Sequence, residues 1–244
     1  MTRPMMCATR PASPATDMIS RFVVSALFAG AAAGLIAGLL QLAFVQPVLL
    51  QAELFENGTL SHFGSDPAPV NLGWAAIDPV RDGLSIVFSM LIYTGYALVL
   101  VAAMSLGEER GSMANGRWGI LWGIGGFIAF HLAPGFSLAP EVPGVAAADI
   151  GARQIWWYAT VGAAIVALFL LAFGRSWIAW SGAVVLLIAP HVWGAPQPET
   201  YAGPVPPELA ALFASRALGT GLAAWVVLGS LAGYFWRRET LRAG

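Results

Sequence analysis

Six apolar runs, at about 22–45, 83–106, 118–134, 155–173, 177–192 and 217–236, dominate the chain and set the terms for everything else. A bilayer is crossed by roughly 20 apolar residues in a helix. Four of the runs reach that length; the third and fifth are short and end in proline-rich strings, FHLAPGF and IAPHVWG. Lipid offers no hydrogen-bond partners, so each crossing must satisfy its backbone internally, as a helix does. The pattern therefore predicts an all-α, polytopic transmembrane helix bundle of about six spans, two of them short or broken at proline. Composition agrees: 58% of the 244 residues are hydrophobic and 10% charged, against roughly a quarter charged in soluble domains.

Residues 1–17 read as a disordered amino-terminal tail, with Met18 as a second candidate start. Residues 18–238 read as one transmembrane domain with an outer loop at about 46–82, and 239–244 as a short cytoplasmic tail. A cleaved signal peptide is disfavoured, because the first run is too long and no small-residue cleavage site follows it. Placing the amino terminus inside puts nine arginines on the cytoplasmic side and three, Arg81, Arg153 and Arg216, on the other. That bias orients the bundle with both termini cytoplasmic. Nine of the thirteen acids then face outward, a surface that concentrates cations.

Several functions are excluded. The net charge is −1 and lysine is absent, so a nucleic-acid partner is not expected. Cys7 is the one cysteine, which rules out an internal disulfide or a CxxC site. No GxxxxGK[ST] loop, GxSxG elbow or HExxH helix occurs, so the chain is not expected to be an enzyme, and energy for any transport comes from a gradient or another chain.

Of the three histidines, His62 falls in the outer loop. His131 and His191 each lie 14 residues beyond the inner end of a span, Arg117 and Trp177, or about 21 Å along a helix. Pro134 and Pro190 free backbone groups beside them, and irregular backbone at membrane depth belongs against a protein-enclosed or watery cavity. The expectation is an outward-facing cavity with His131 and His191 as imidazoles and Glu141 and Glu199 at its rim. Glu53 and Glu56, spaced i, i+3, share a face near its mouth if the first helix continues. The candidate metal ligands are thus His131, His191, Glu141, Glu53 and Glu56. The competing reading makes both histidines interfacial or helix-capping residues.

The remaining features suggest packing. Gly30, Gly34 and Gly38, and Gly229 with Gly233, form small-xxx-small motifs. Trp156, Trp157, Tyr158 and Trp236 fit interfacial belts, and Arg216 reads as a flanking anchor.

Five strings in order, AELFE, LWGIGGFIAFHLAP, LAPEVPG, ARQIWW and APHVWGAP, closely resemble the CbtA family of predicted cobalt transporter subunits, over about residues 18–238. The resemblance implies a multi-pass protein of the bacterial inner membrane with five or six helices, tied to cobalt uptake and cobalamin supply. It also implies a partner, CbtB, a small single-helix membrane subunit carrying histidines. The family pattern covers Glu53, Glu56, His131, Glu141, Arg153, Gln154, Trp156, Trp157, His191 and Pro196; the amino-terminal extension and the Asp66 to Asp78 insert match nothing in it. Imidazole with carboxylate suits cobalt, nickel or zinc, and the lack of clustered Cys and Met in the spans disfavours copper(I). No tightly bound cofactor is expected; cobalt, with nickel as the alternative, is cargo. The sequence leaves a homo-oligomer open, and it leaves a non-transporting scaffold or assembly factor as the second function.

Overall fold

The computed structural model describes residues 14–62, 77–111 and 115–242. The expected tail lies outside these residues as far as Pro14, where the first helix begins, as does most of the Asp66 to Asp78 insert. Among the described residues every regular element is helical: α1 (Pro14–Leu40), α2 (Gln46–Glu56), α3 (Pro79–Glu108), α4 (Gly116–Phe127), α5 (Ala133–Ser137), α6 (Ile150–Phe173), α7 (Trp177–Trp193) and α8 (Pro207–Arg242). Two π-helical turns, Gln41–Val45 and Ile128–Leu132, weld α1 to α2 and α4 to α5. Five rods are long and apolar enough to cross a membrane, Ile19–Glu56 at 38 residues being the longest; α7 is shorter, at 17 residues.

Local chemistry fixes where helices start. Asp78, Asn115, Asp149 and Ser176 each accept a backbone N–H of the first turn, at Arg81, Trp118, Ala152 and Ala179 among others, satisfying donors a helix leaves orphaned. Proline does not break the third span. The π turn ends two residues before Pro134, and Ala133 N–H reaches back to the Ile128 carbonyl. The first rod repeats this arrangement, with its π turn ending two residues before Pro47 and Gln46 N–H bonded to the Gln41 carbonyl. The wider turn absorbs the missing donor while the rod continues. The span expected to end at Pro134 therefore runs on to Ser137, and the first eleven residues of the expected outer loop are helix.

Two glycine seams hold the membrane core. A Cβ on Gly30 or Gly34 would collide with the α3 backbone at Thr94 and Met90, and one on Gly119, Gly123 or Gly229 would collide with backbone across the α4–α8 contact. Apolar burial gives no drive inside lipid, so close backbone approach is what such residues supply. Around the seams pack Val101, Met104, Phe127, Trp225 and Leu228. By contrast α7 lies mainly against α6 and buries only Ala183.

Cross-contacts fix which ends lie together. Trp236 donates to Glu108 at 2.9 Å, Arg110 sits over Phe169, and Gly233 meets Asn115. This end gathers Arg110, Arg117, Arg175, Arg237 and Arg238. At the other end Arg216 reaches the Phe44 carbonyl at 3.1 Å, Gln46 donates to Asp82 at 2.7 Å and Arg153 pairs with Glu141. There a second small core, Val48, Ala52, Phe55, Val142, Val205 and Leu209, joins α2 and the start of α8 to the 138–149 and 201–206 loops. Those loops also pair through Ala146 N–H to the Ala202 carbonyl at 3.0 Å.

Candidate functional site

His131 sits in the second π turn, half-buried where α3, α4 and α8 meet. Trp225 Nε1 donates to His131 Nδ1 at 3.1 Å. Phe127 stacks on the ring at 5.9 Å, and Tyr96 and Trp225 meet its edges. The indole N–H can only donate, so Nδ1 is the acceptor and the neutral ring carries its proton on Nε2. Both nitrogens are then spoken for as a ligand: one lone pair holds Trp225, the other position is N–H. In this arrangement His131 locks helices together, and it can take a metal only by releasing Trp225.

His191, one residue past Pro190, is placed differently. Its Nδ1 lies 2.8 Å from Ser137 Oγ, and the edges of Phe136 and Trp156 flank the ring. Trp156 in turn donates Nε1 to the Pro190 carbonyl at 3.1 Å, fixing the end of α7 against α6. The serine hydroxyl can accept from Nδ1–H or donate to Nδ1, according to the tautomer; in the first case the Nε2 lone pair is left for another partner. That is the second-sphere arrangement metal-binding histidines use.

The two histidines engage different partners along one rod. His131 faces Tyr96 of α3 and Trp225 of α8, while α5 meets His191 through Phe136 and Ser137. Glu141 is ion-paired with Arg153 at 2.7 Å, each side chain 28% exposed. Glu53 is half-buried and Glu56 exposed on α2, whose end packs against Gly144, three residues from Glu141. Hence α2 does continue the first rod, and it brings Glu56 to the loop that carries Glu141. Among the described residues no three His, Cys, Asp or Glu side chains are grouped to hold a metal ion. Two open cavities, one along α7 and one at the arginine-rich end, are lined by none of the five candidates.

Sequence reasoning did not single out Trp225, Ser137, Pro47 or the Arg216 contact. Proline at 47 carried a signal, since the strings FVQP and HLAP place it alike after an apolar run. Arg216 lies in the third turn of α8, not ahead of a span, and its guanidinium serves a carbonyl in the first π turn. Trp225 and Ser137 lie 94 and 54 residues from their histidines, and no local pattern marks them.

No curated protein and no solved structure matches the chain. A family model described as probable cobalt transporter subunit (CbtA) does match, over residues 19–237. With that match spanning all the transmembrane helices, the chain belongs to the CbtA family of probable cobalt transporter subunits.

Proposed function

We propose that the chain is the membrane component of a divalent transition-metal uptake transporter, with cobalt as cargo and nickel as the alternative, and that it is not itself an enzyme. The observation that carries this reading is the His191–Ser137 contact, in a chain whose family is described as a cobalt transporter subunit. With Ser137 accepting from Nδ1–H, the Nε2 lone pair is left to meet an ion at the acid-rich end. The ion is drawn by the outer acids, meets Glu53, Glu56 and Glu141 at the outer face, and passes to His191 and then His131 once Trp225 lets go. Binding is loose, since an ion held too tightly cannot leave. One fixed histidine is too few ligands, which fits a subunit whose site is completed by a small single-helix partner of the CbtB kind carrying further histidines. Uptake of labelled cobalt into vesicles that contain the full chain with that partner should exceed uptake with either alone; equal uptake by vesicles lacking the chain would remove the transporter reading.

A second reading, a non-transporting scaffold or assembly factor, draws on the occupied state of His131 and Glu141, which hold Trp225 and Arg153.

In the membrane we place the arginine-rich end in the cytoplasm and the second core outside, in the bacterial inner membrane, on the positive-inside bias. Reporter fusions at Gly244 and between Glu199 and Pro206 should give opposite sides, since only α8 lies between them; a same-side result would mean that α8 does not cross, and the placement of both ends would fall.

A further inference from the structure

At the arginine-rich end a cavity of about 560 Å³ opens between the end of α3 and the turn from α6 to α7, lined by Arg110, Phe169, Leu170, Phe173, Gly174 and Arg175. Arg110 lies over the Phe169 ring, 5.1 Å from its centre, and donates Nη1 to the Leu106 carbonyl at 3.0 Å, which fixes the guanidinium at the cavity wall. Arg175 projects from the turn. Among the described residues neither arginine is paired with a carboxylate: the nearby Glu108 accepts from Trp236, and Glu109 is exposed. Two uncompensated guanidinium groups at one cavity form an anion site, and guanidinium matches the two-oxygen edge of a phosphate. The rest of the wall is phenylalanine and leucine, which a free hydrated anion would not need. The depth fits as well. Trp177 and Trp180 are exposed on the first turn of α7 beside this cavity, with Trp180 Nε1 donating to the Gly174 carbonyl at 3.0 Å, and tryptophan marks the level of lipid headgroups.

We propose that this cavity binds an anionic phospholipid, its phosphate between Arg110 and Arg175 and its glycerol and upper acyl chain against Phe169 and Phe173. Basic pockets at helix ends in the membrane recognise lipid headgroups in this way. The site is separate from the metal path and stands whether or not the chain carries cobalt.

The test uses the full chain purified in detergent and titrated with dioleoyl-phosphatidylglycerol or dioleoyl-phosphatidylcholine, with bound lipid counted by native mass spectrometry. The expected result is one phosphatidylglycerol retained preferentially per chain, with affinity falling about fivefold in Arg175→Gln and further in the double variant carrying Arg110→Gln. Among the described residues Arg175 makes no side-chain hydrogen bond or ion pair and is exposed, so the single variant is expected to keep the wild-type unfolding temperature. Equal retention of the two lipids, or unchanged retention in the double variant, overturns the proposal. So does a matching stabilisation by inorganic phosphate alone, which would make this a site for the free anion.

Discussion

Replacing His191 by alanine is expected to lower cobalt uptake at limiting metal by roughly tenfold or more, the scale seen when a metal ligand or its support is lost, with the protein still abundant in the membrane. The ring is half-buried at the end of α7, between the edges of Phe136 and Trp156, and among the described residues its hydrogen bond is to Ser137, so its loss leaves no buried donor unpaired. Ser137→Ala should then show a smaller loss of uptake, because it frees the ring without removing it. His131→Ala is expected to behave otherwise. It strips the acceptor from a Trp225 indole that is 1% exposed, and a buried donor left without a partner costs about 1–3 kcal/mol. That variant should unfold at lower temperature in detergent as well as transport less. Normal uptake by the His191 variant would favour the scaffold reading. A His131 variant that is fully stable yet inactive would make His131, not His191, the main ligand.

The largest structural effect is expected at the α4–α8 seam. A methyl group on Gly229 meets the Gly119 carbonyl and the Gly123 backbone, and one on Gly123 meets the Trp225 carbonyl. No flexible side chain is there to yield, so the helices must part along their length. Overpacking of this kind costs about 1–3 kcal/mol for a single methyl, and leucine at either position should prevent the fold. Gly95→Ala and Gly219→Ala, where nothing lies within 4 Å, should leave the unfolding temperature unchanged. If Gly229→Ala is as stable as those two, the seam is not what holds α8 in place.

The transmembrane architecture was legible because lipid leaves the backbone few options. Long apolar runs mean helices, and Asp, Asn and Ser before them became caps at Asp78, Asn115, Asp149 and Ser176. The glycine motifs at Gly30, Gly34, Gly229 and Gly233 also met backbone as expected, although their counterparts Gly119 and Gly123 passed unremarked. The site was less legible. Depth counted in residues put His131 and His191 at one level, but what each engages is decided by partners far along the chain. Pro134 and Pro190 were read as breaks, whereas a surplus residue in the π turn before Pro134 keeps that rod whole and Pro190 lies inside α7.

The second core has a bearing on what can be exchanged. Four of its six buried residues come from α2 and α8, whose rods also help line the membrane core: Ile19–Glu56 runs for 38 residues and Pro207–Leu241 for 35, or roughly 57 and 52 Å against a hydrocarbon layer of about 30 Å. This cap is therefore not a module. No cut separates it from the spans without severing the two helices that serve both cores, so it cannot be shed, borrowed from another protein or made to tilt alone. Whatever docks on the cap pushes directly on the glycine-packed rods below.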